Sequence, residues 1–156
     1  MTDRPMRRSD RQISEQEAAE LLLTAEYGVI ATVNADGTPY STPMSYAYKD
    51  GKIYLHGAAE GQKIDNIKAQ PCVCFCVVGG TELLPDKFST KYISAIAQGK
   101  AEIVSDIEEK KAGLMAIIEK YSPEHIPAGI KYIDSALDKV CVIKISIDKL
   151  SGKARK

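Results

Sequence analysis

YGVIATVNADGTPYSTPMSYAYKDGKIYLHG, residues 27–57, is the stretch that decides the fold class. Val29, Ala31 and Val33 alternate with Ile30 and Thr32, a period of two that suits a strand and not a helix. Asn34-Ala35-Asp36-Gly37 then supplies the side chains and the glycine of a tight hairpin turn. A second strand is expected through Tyr40, Thr42, Met44, Tyr46 and Tyr48, after which Lys49-Asp50-Gly51-Lys52 turns the chain into a third strand from Ile53 to Gly57. Three consecutive antiparallel strands predict a meander.

Upstream of this stretch, Ser14 and Glu17 have the spacing of a capping box. Ala18, Leu21, Leu22 and Ala25 follow at helical intervals, so a helix is expected to end near Glu26 to Gly28. The first dozen residues carry Arg4, Arg7, Arg8 and Arg11 with little apolar content and read as a basic arm.

Downstream, Gly61 to Gln70 predicts a short helix with Ile64 and Ile67 inward, and Cys72 to Val78 a fourth strand. A loop is expected from Thr81 to Thr90, and a fifth strand from about Lys91 to Val104. A second helix capped by Ser105 and Glu108 follows, with Ile107, Leu114, Ile118 and Tyr121 on its inner face. Between Ser122 and Lys139 a short helix would turn Ile130, Ile133 and Leu137 inward, and Val140 to Ile147 forms the last strand. Six strands with few helices point to a mainly β fold, an antiparallel barrel, because a sheet of that size leaves exposed edges unless it closes. An open α+β sheet is the alternative. The 156 residues fit one domain, 1–156, of which 1–12 are the arm.

Lysine plus arginine number 21, as do aspartate plus glutamate, so no net charge draws the protein to nucleic acid or membrane, and an anionic ligand must be held locally. No apolar run approaches the roughly 20 residues that span a bilayer. These features predict a soluble, cytoplasmic protein without nucleic-acid or membrane partners. Cys72, Cys74 and Cys76 alternate on one strand face, roughly 7 Å apart, too far for a disulfide. They are expected to pack as reduced side chains in a core, and no metal site is expected.

The segment His56-Gly57-Ala58-Ala59-Glu60-Gly61-Gln62-Lys63-Ile64-Asp65-Asn66-Ile67 runs from a strand end through small residues into a helix start. Gly57, Ala58 and Gly61 let a ligand approach the backbone, the first helical amides point outward, and Lys63 adds a full positive charge. That is the chemistry of a phosphate cradle, although an ordinary connection with a solvated lysine has the same pattern. On the fifth strand Tyr92, Ser94 and Gln98 share a face with Ile96, opposite Ile93, Ala95 and Ala97. The polar face either meets water or offers its groups to a polar heterocycle. His56 has two readings: a half-buried, satisfied side chain, or a catalytic group beside the ligand whose charge changes near neutral pH.

Taken in order along the chain, several blocks resemble the pyridoxamine 5'-phosphate oxidase-like flavin split barrels, and among them the nitroimidazole-resistance reductases. They are Met6-Arg7-Arg8-Ser9-Asp10-Arg11, Pro39 with Pro43-Met44-Ser45-Tyr46, His56 to Ile67, Tyr92-Ile93-Ser94, Gln98-Gly99-Lys100-Ala101 and Ser151-Gly152-Lys153-Ala154-Arg155. The resemblance implies a six-stranded antiparallel split β-barrel with flanking helices, a homodimer, and FMN in grooves between the subunits. It implies that Thr42, Pro43, Met44 and Ser45 line the isoalloxazine, that His56, Gly57 and Ala58 follow the ribityl chain and ring, that Lys63 meets the phosphate, and that Ser94 touches the flavin. The true oxidases place an arginine before that lysine, where this chain has Gln62, which argues against vitamin-B6 chemistry. The expected function is FMN-dependent reduction of a small-molecule substrate, nitroimidazoles or other oxidised compounds. The alternative is a non-catalytic carrier or sensor of flavin, deazaflavin or haem.

Overall fold

The computed structural model describes residues 5–156, so Arg4 and the start of the expected arm lie outside the described residues. The elements in chain order are β1 (Gln12–Ile13), α1 (Glu15–Thr24), β2 (Gly28–Val33), β3 (Pro39–Met44), β4 (Tyr46–Lys49), β5 (Lys52–Gly57), α2 (Gln62–Ala69), β6 (Cys72–Leu84), β7 (Ser89–Ile103), α3 (Ile107–Tyr121), α4 (Ile126–Ala136) and β8 (Cys141–Arg155). All pairings are antiparallel, in the order β3-β2-β6-β7-β8-β5-β4, with β1 added to the far end of β8.

The second expected strand is the one that splits. Its first half, β3, pairs with β2 at one edge of the sheet, and its second half, β4, pairs with β5 at the other. Ser45 alone connects them. The chain thus joins the two edges covalently where no ladder of hydrogen bonds joins them, which makes the architecture a split barrel and replaces the simple meander. The six expected strands become eight because of this break and because Gln12–Ile13, expected within or just beyond the basic arm, pairs with Lys153 and Gly152.

Two long strands replace most of the expected Thr81 to Thr90 loop: β6 runs on to Leu84, a 3-10 turn spans Pro85–Lys87, and β7 begins at Ser89. The last strand is also longer than the expected Val140 to Ile147, because Lys149 to Arg155 pairs with β7 from Gln98 back to Tyr92. The cap of α3 is Asp106, which accepts a bond from the Glu109 amide at 2.8 Å, so Ile107 falls in the exposed first turn. In α4 only Ile133 is buried, and Ile130 faces outward. The capping box of α1 forms as expected: the Ser14 hydroxyl accepts from the Glu17 amide, and the Glu17 carboxylate accepts from the Ser14 amide.

Alternation on β6 gives one of two sets to the core, and the larger side chains take it. Val73, Phe75 and Val77 are buried, while Cys72, Cys74 and Cys76 lie on the outer face, a correction to their expected core position. The barrel interior holds Leu22, Ile30, Tyr46, Phe75, Ile143 and Ile145, with the Tyr46 and Phe75 rings edge to face at 4.8 Å. A second cluster seals α3 and α4 onto the opposite face of β5 and β8 through Tyr54, Leu114, Ile133 and Val142.

An ion network fastens α3 to the same strands. Lys144, whose side chain is 12% exposed, donates to Glu109 at 2.9 and 3.0 Å and pairs with Glu102 at 2.6 Å, while the Tyr54 hydroxyl donates to Glu109 at 3.3 Å. Lys144 is the main cause holding the Glu109 carboxyl below its ordinary value of 4.5. A depressed carboxyl contributes stability that is present above its unfolded-state pKa and lost as pH falls through the folded one. Glu109→Gln is therefore expected to lower stability at pH 7 by about 1 kcal/mol. The deficit should shrink as both proteins are acidified below the glutamate range, which urea unfolding at pH 7 and pH 3 would measure; a deficit independent of pH would refute it.

Candidate functional site

The chain runs from the end of β5 through a short loop into α2, the strand–loop–helix order expected from the sequence. Gly61 caps α2 with φ of 119°, a conformation that L side chains rarely adopt. A Cβ placed on Gly57 or Gly61 would meet nothing within 4 Å, so the backbone here borders open space, and Ala58 is exposed. Ile64 and Ile67 anchor the helix in the barrel interior. Lys63 then projects toward β3, where its ammonium lies 3.2 Å from the Met44 thioether sulfur. A thioether is a weak acceptor, and among the described residues Lys63 has no carboxylate partner. Burial pulls its pKa below the usual lysine value, the Cys141 thiol acting in the opposite sense.

Thr42 shares a strand face with Met44, roughly 7 Å away. Its hydroxyl is buried without a hydrogen-bond partner, as is Nδ1 of His56. Unsatisfied buried polar atoms are costly and uncommon. The Thr42 hydroxyl, and a lysine held only by the sulfur of Met44 on the same strand face, suit an oxygen-rich anionic ligand. Pro43 and Ser45 are exposed beside them at the bend that separates β3 from β4.

His56 points away from the barrel interior. With Leu114, Ile117, Ile118, Tyr132, Ile133, Ala136 and Val140 it lines a pocket of about 50 Å³ beneath α3 and α4. Burial, then the charge of Lys63, lowers its pKa from the ordinary histidine value, which favours the neutral ring. Ser94 stands apart. Register places it with Val78, Cys76 and Val29 on the outer sheet face, whereas Thr42 lies opposite Ile30 and Phe75 on the inner face, three strands away. Its hydroxyl donates to the Lys153 carbonyl at 3.4 Å. Within one chain, then, the structure sets Lys63 against Met44 on the strand face that Thr42 shares, with Gly57 in the loop leading to Lys63, turns His56 to the other face of β5, and leaves Ser94 on the outer sheet face.

Three residues at or near the site had no clear signal in the sequence. Asn34 and Asn66 tie α2 to the β2–β3 hairpin. Lys120, one residue before the end of α3, puts a buried, unpartnered ammonium 3.6 Å above the ring of Tyr46, the residue after Ser45, and burial pushes its pKa down to about 8. Its spacing three residues after the buried Ile117 is the one clue that it would turn inward.

On the outer face, Ala31, Val33, Pro39, Cys74 and Gln98 line a shallow groove of about 280 Å³. Burial raises the Cys74 and Cys76 pKa values, so these thiols stay protonated. Among the described residues no group of three or more His, Cys, Asp or Glu side chains could hold a metal ion, and no helix is long and apolar enough to cross a membrane.

Comparison with known proteins agrees with the fold. The sequence profile of the pyridoxamine 5'-phosphate oxidase family matches residues 14–154. A candidate 5-nitroimidazole antibiotic resistance protein from Bacteroides thetaiotaomicron is 29% identical, with 92% of this chain and 86% of that one covered at a TM-score of 0.80. A conserved hypothetical protein from Mycobacterium tuberculosis is 27% identical, with 96% and 90% covered at a TM-score of 0.77. A flavocytochrome from Azotobacter vinelandii shares the fold at 21% identity, with 99% and 75% covered and a TM-score of 0.84. No curated protein matches.

Proposed function

The chain belongs to the pyridoxamine 5'-phosphate oxidase family, and from that membership we propose that it is a cytoplasmic, homodimeric FMN-binding oxidoreductase that reduces small oxidised molecules, nitroimidazoles among them. The observation that carries this reading is the Lys63 ammonium resting on the Met44 sulfur, a cation in need of an anion at the mouth of a glycine-lined loop. Likeness to a candidate 5-nitroimidazole resistance protein supports the substrate class. Four unpaired cysteines suit a reducing compartment.

FMN would supply the redox chemistry. The chain supplies position and charge: Lys63 and the first amides of α2 hold the phosphate, Gly57 and Ala58 leave room for the ribityl chain, and Thr42 to Ser45 border the ring. The neutral His56 would offer a hydrogen bond to the substrate. Ser94 would serve a ligand lying between two copies, because it occupies the face opposite Thr42. That outer face carries Val33, Val78 and Ile96 partly exposed, and the β6–β7 tip carries Leu83 and Phe88 at 74% and 98% exposure, apolar surface that a second copy would cover.

The deciding measurement is the visible spectrum of the purified protein, with FMN titrated in and mass followed by light scattering. A flavin spectrum and a dimeric mass are expected. A haem spectrum, no affinity for FMN, or a flavin-loaded monomer would each overturn part of the proposal. Within it, His56→Ala should retain FMN yet lose most anaerobic substrate reduction with a chemical reductant. Reduction at the unaltered rate with saturating FMN would leave His56 a structural role.

A further inference from the structure

The helix that carries Lys63 has only eight residues and no side-chain cap, too short to hold its own orientation. Ile64 and Ile67 fix how deep it sits, but apolar contacts are not directional. Direction comes from carboxamides. Asn66, 6% exposed, donates through Nδ2 to the Thr32 hydroxyl at 3.0 Å and to Oδ1 of Asn34 at 2.8 Å. Gln62 donates to the same Asn34 oxygen at 2.9 Å. The relay continues on both sides: Asn34 Nδ2 donates to the Thr38 hydroxyl, which donates to Asp36, and the Thr32 hydroxyl donates to the Tyr40 carbonyl of β3.

We propose that Asn34 is a positioning residue for the anion site: by receiving Gln62 and Asn66 together it sets the angle of α2 and so aims Lys63 at the phosphate of the ligand. This rests on the phosphate reading of the site and deepens it. It also gives Gln62 a role, since its carboxamide is committed to the hairpin and leaves Lys63 as the one side-chain cation among the described residues on the first turn of α2.

The test compares affinities for FMN and riboflavin, which differ by the phosphate, using flavin fluorescence on the full chain. Asn34→Leu is expected to lower the preference for FMN about tenfold, and to leave the preference unchanged in a Lys63→Ala background, where the aimed group is gone. Equal loss for both flavins, or the same drop in both backgrounds, would overturn the positioning role. Gln62→Met breaks one of the two bonds at an exposed position where folding is not at stake. It should lower the preference by a smaller factor, and no change would count against the proposal. A wild-type protein that binds both flavins equally would refute the phosphate site itself, and that result is read before any variant is made.

Discussion

Lys63→Ala is expected to weaken FMN binding about ten- to a hundredfold while changing riboflavin binding little. The ammonium stands against a thioether, so a phosphate oxygen would replace a weak contact with a charge-assisted hydrogen bond. Such a bond is worth roughly 1.5–3 kcal/mol, and only the phosphorylated flavin can form it. Lys63 also lies at the exposed end of α2 and contributes no packing comparable to Ile64 or Ile67, so the variant should unfold at nearly the wild-type denaturant concentration. Calorimetric titration with each flavin gives the two affinities. A matched loss for both would remove the phosphate from the assignment.

Gly99→Ala is the substitution expected to damage the fold most. A Cβ at this position would lie 2.0 Å from the Ser146 carbonyl oxygen and 3.1 Å from the Ile147 Cα, both backbone atoms of the neighbouring strand. The register between β7 and β8 shifts between Gln98 and Gly99, so the close approach is part of a bulge that lets β8 continue to Arg155. A side chain could rotate away from the new methyl, but a paired strand cannot. The cost is expected to be about 3 kcal/mol or more, at the upper end for overpacking. At Gly28 the crowding is against side-chain atoms of Phe75 and Val77 and not against backbone, so Gly28→Ala should be milder. Urea midpoints of the two variants would rank them; a Gly99→Ala protein as stable as wild type would mean that the strands can re-register at the bulge.

Much of this architecture was legible because alternation and turn chemistry are local. Asn34 to Gly37 and Lys49 to Lys52 mark their hairpins, with Asp50 and Gly51 both at positive φ as the second turn requires. The break at Ser45 was not legible, since Tyr40 to Tyr48 keeps one alternating pattern throughout and only pairing with distant strands divides it. Membership of the outer face was equally hidden for the cysteines: periodicity shows that Cys72, Cys74 and Cys76 share a side, and competition with Val73, Phe75 and Val77 decides which side is inside. At the site, the small residues and Lys63 carried a signal that spacing alone could express. The carboxamide relay carried none, because Asn34 and Asn66 meet across 32 residues and each is an ordinary turn or helix residue in its own window.

The position of β8 bears on how the molecule assembles. It is the last described strand, yet it pairs with β1, β5 and β7, and among the described residues β5 has no other neighbour but β4. Without it the strand ladders reduce to a β3-β2-β6-β7 sheet and a β4–β5 hairpin tethered to it through Ser45. Pairings of such long sequence separation incur their loop-closure entropy before any contact rewards it, which slows folding. During that interval the edges of β5 and β7 that β8 will cover are open to pairing with another chain.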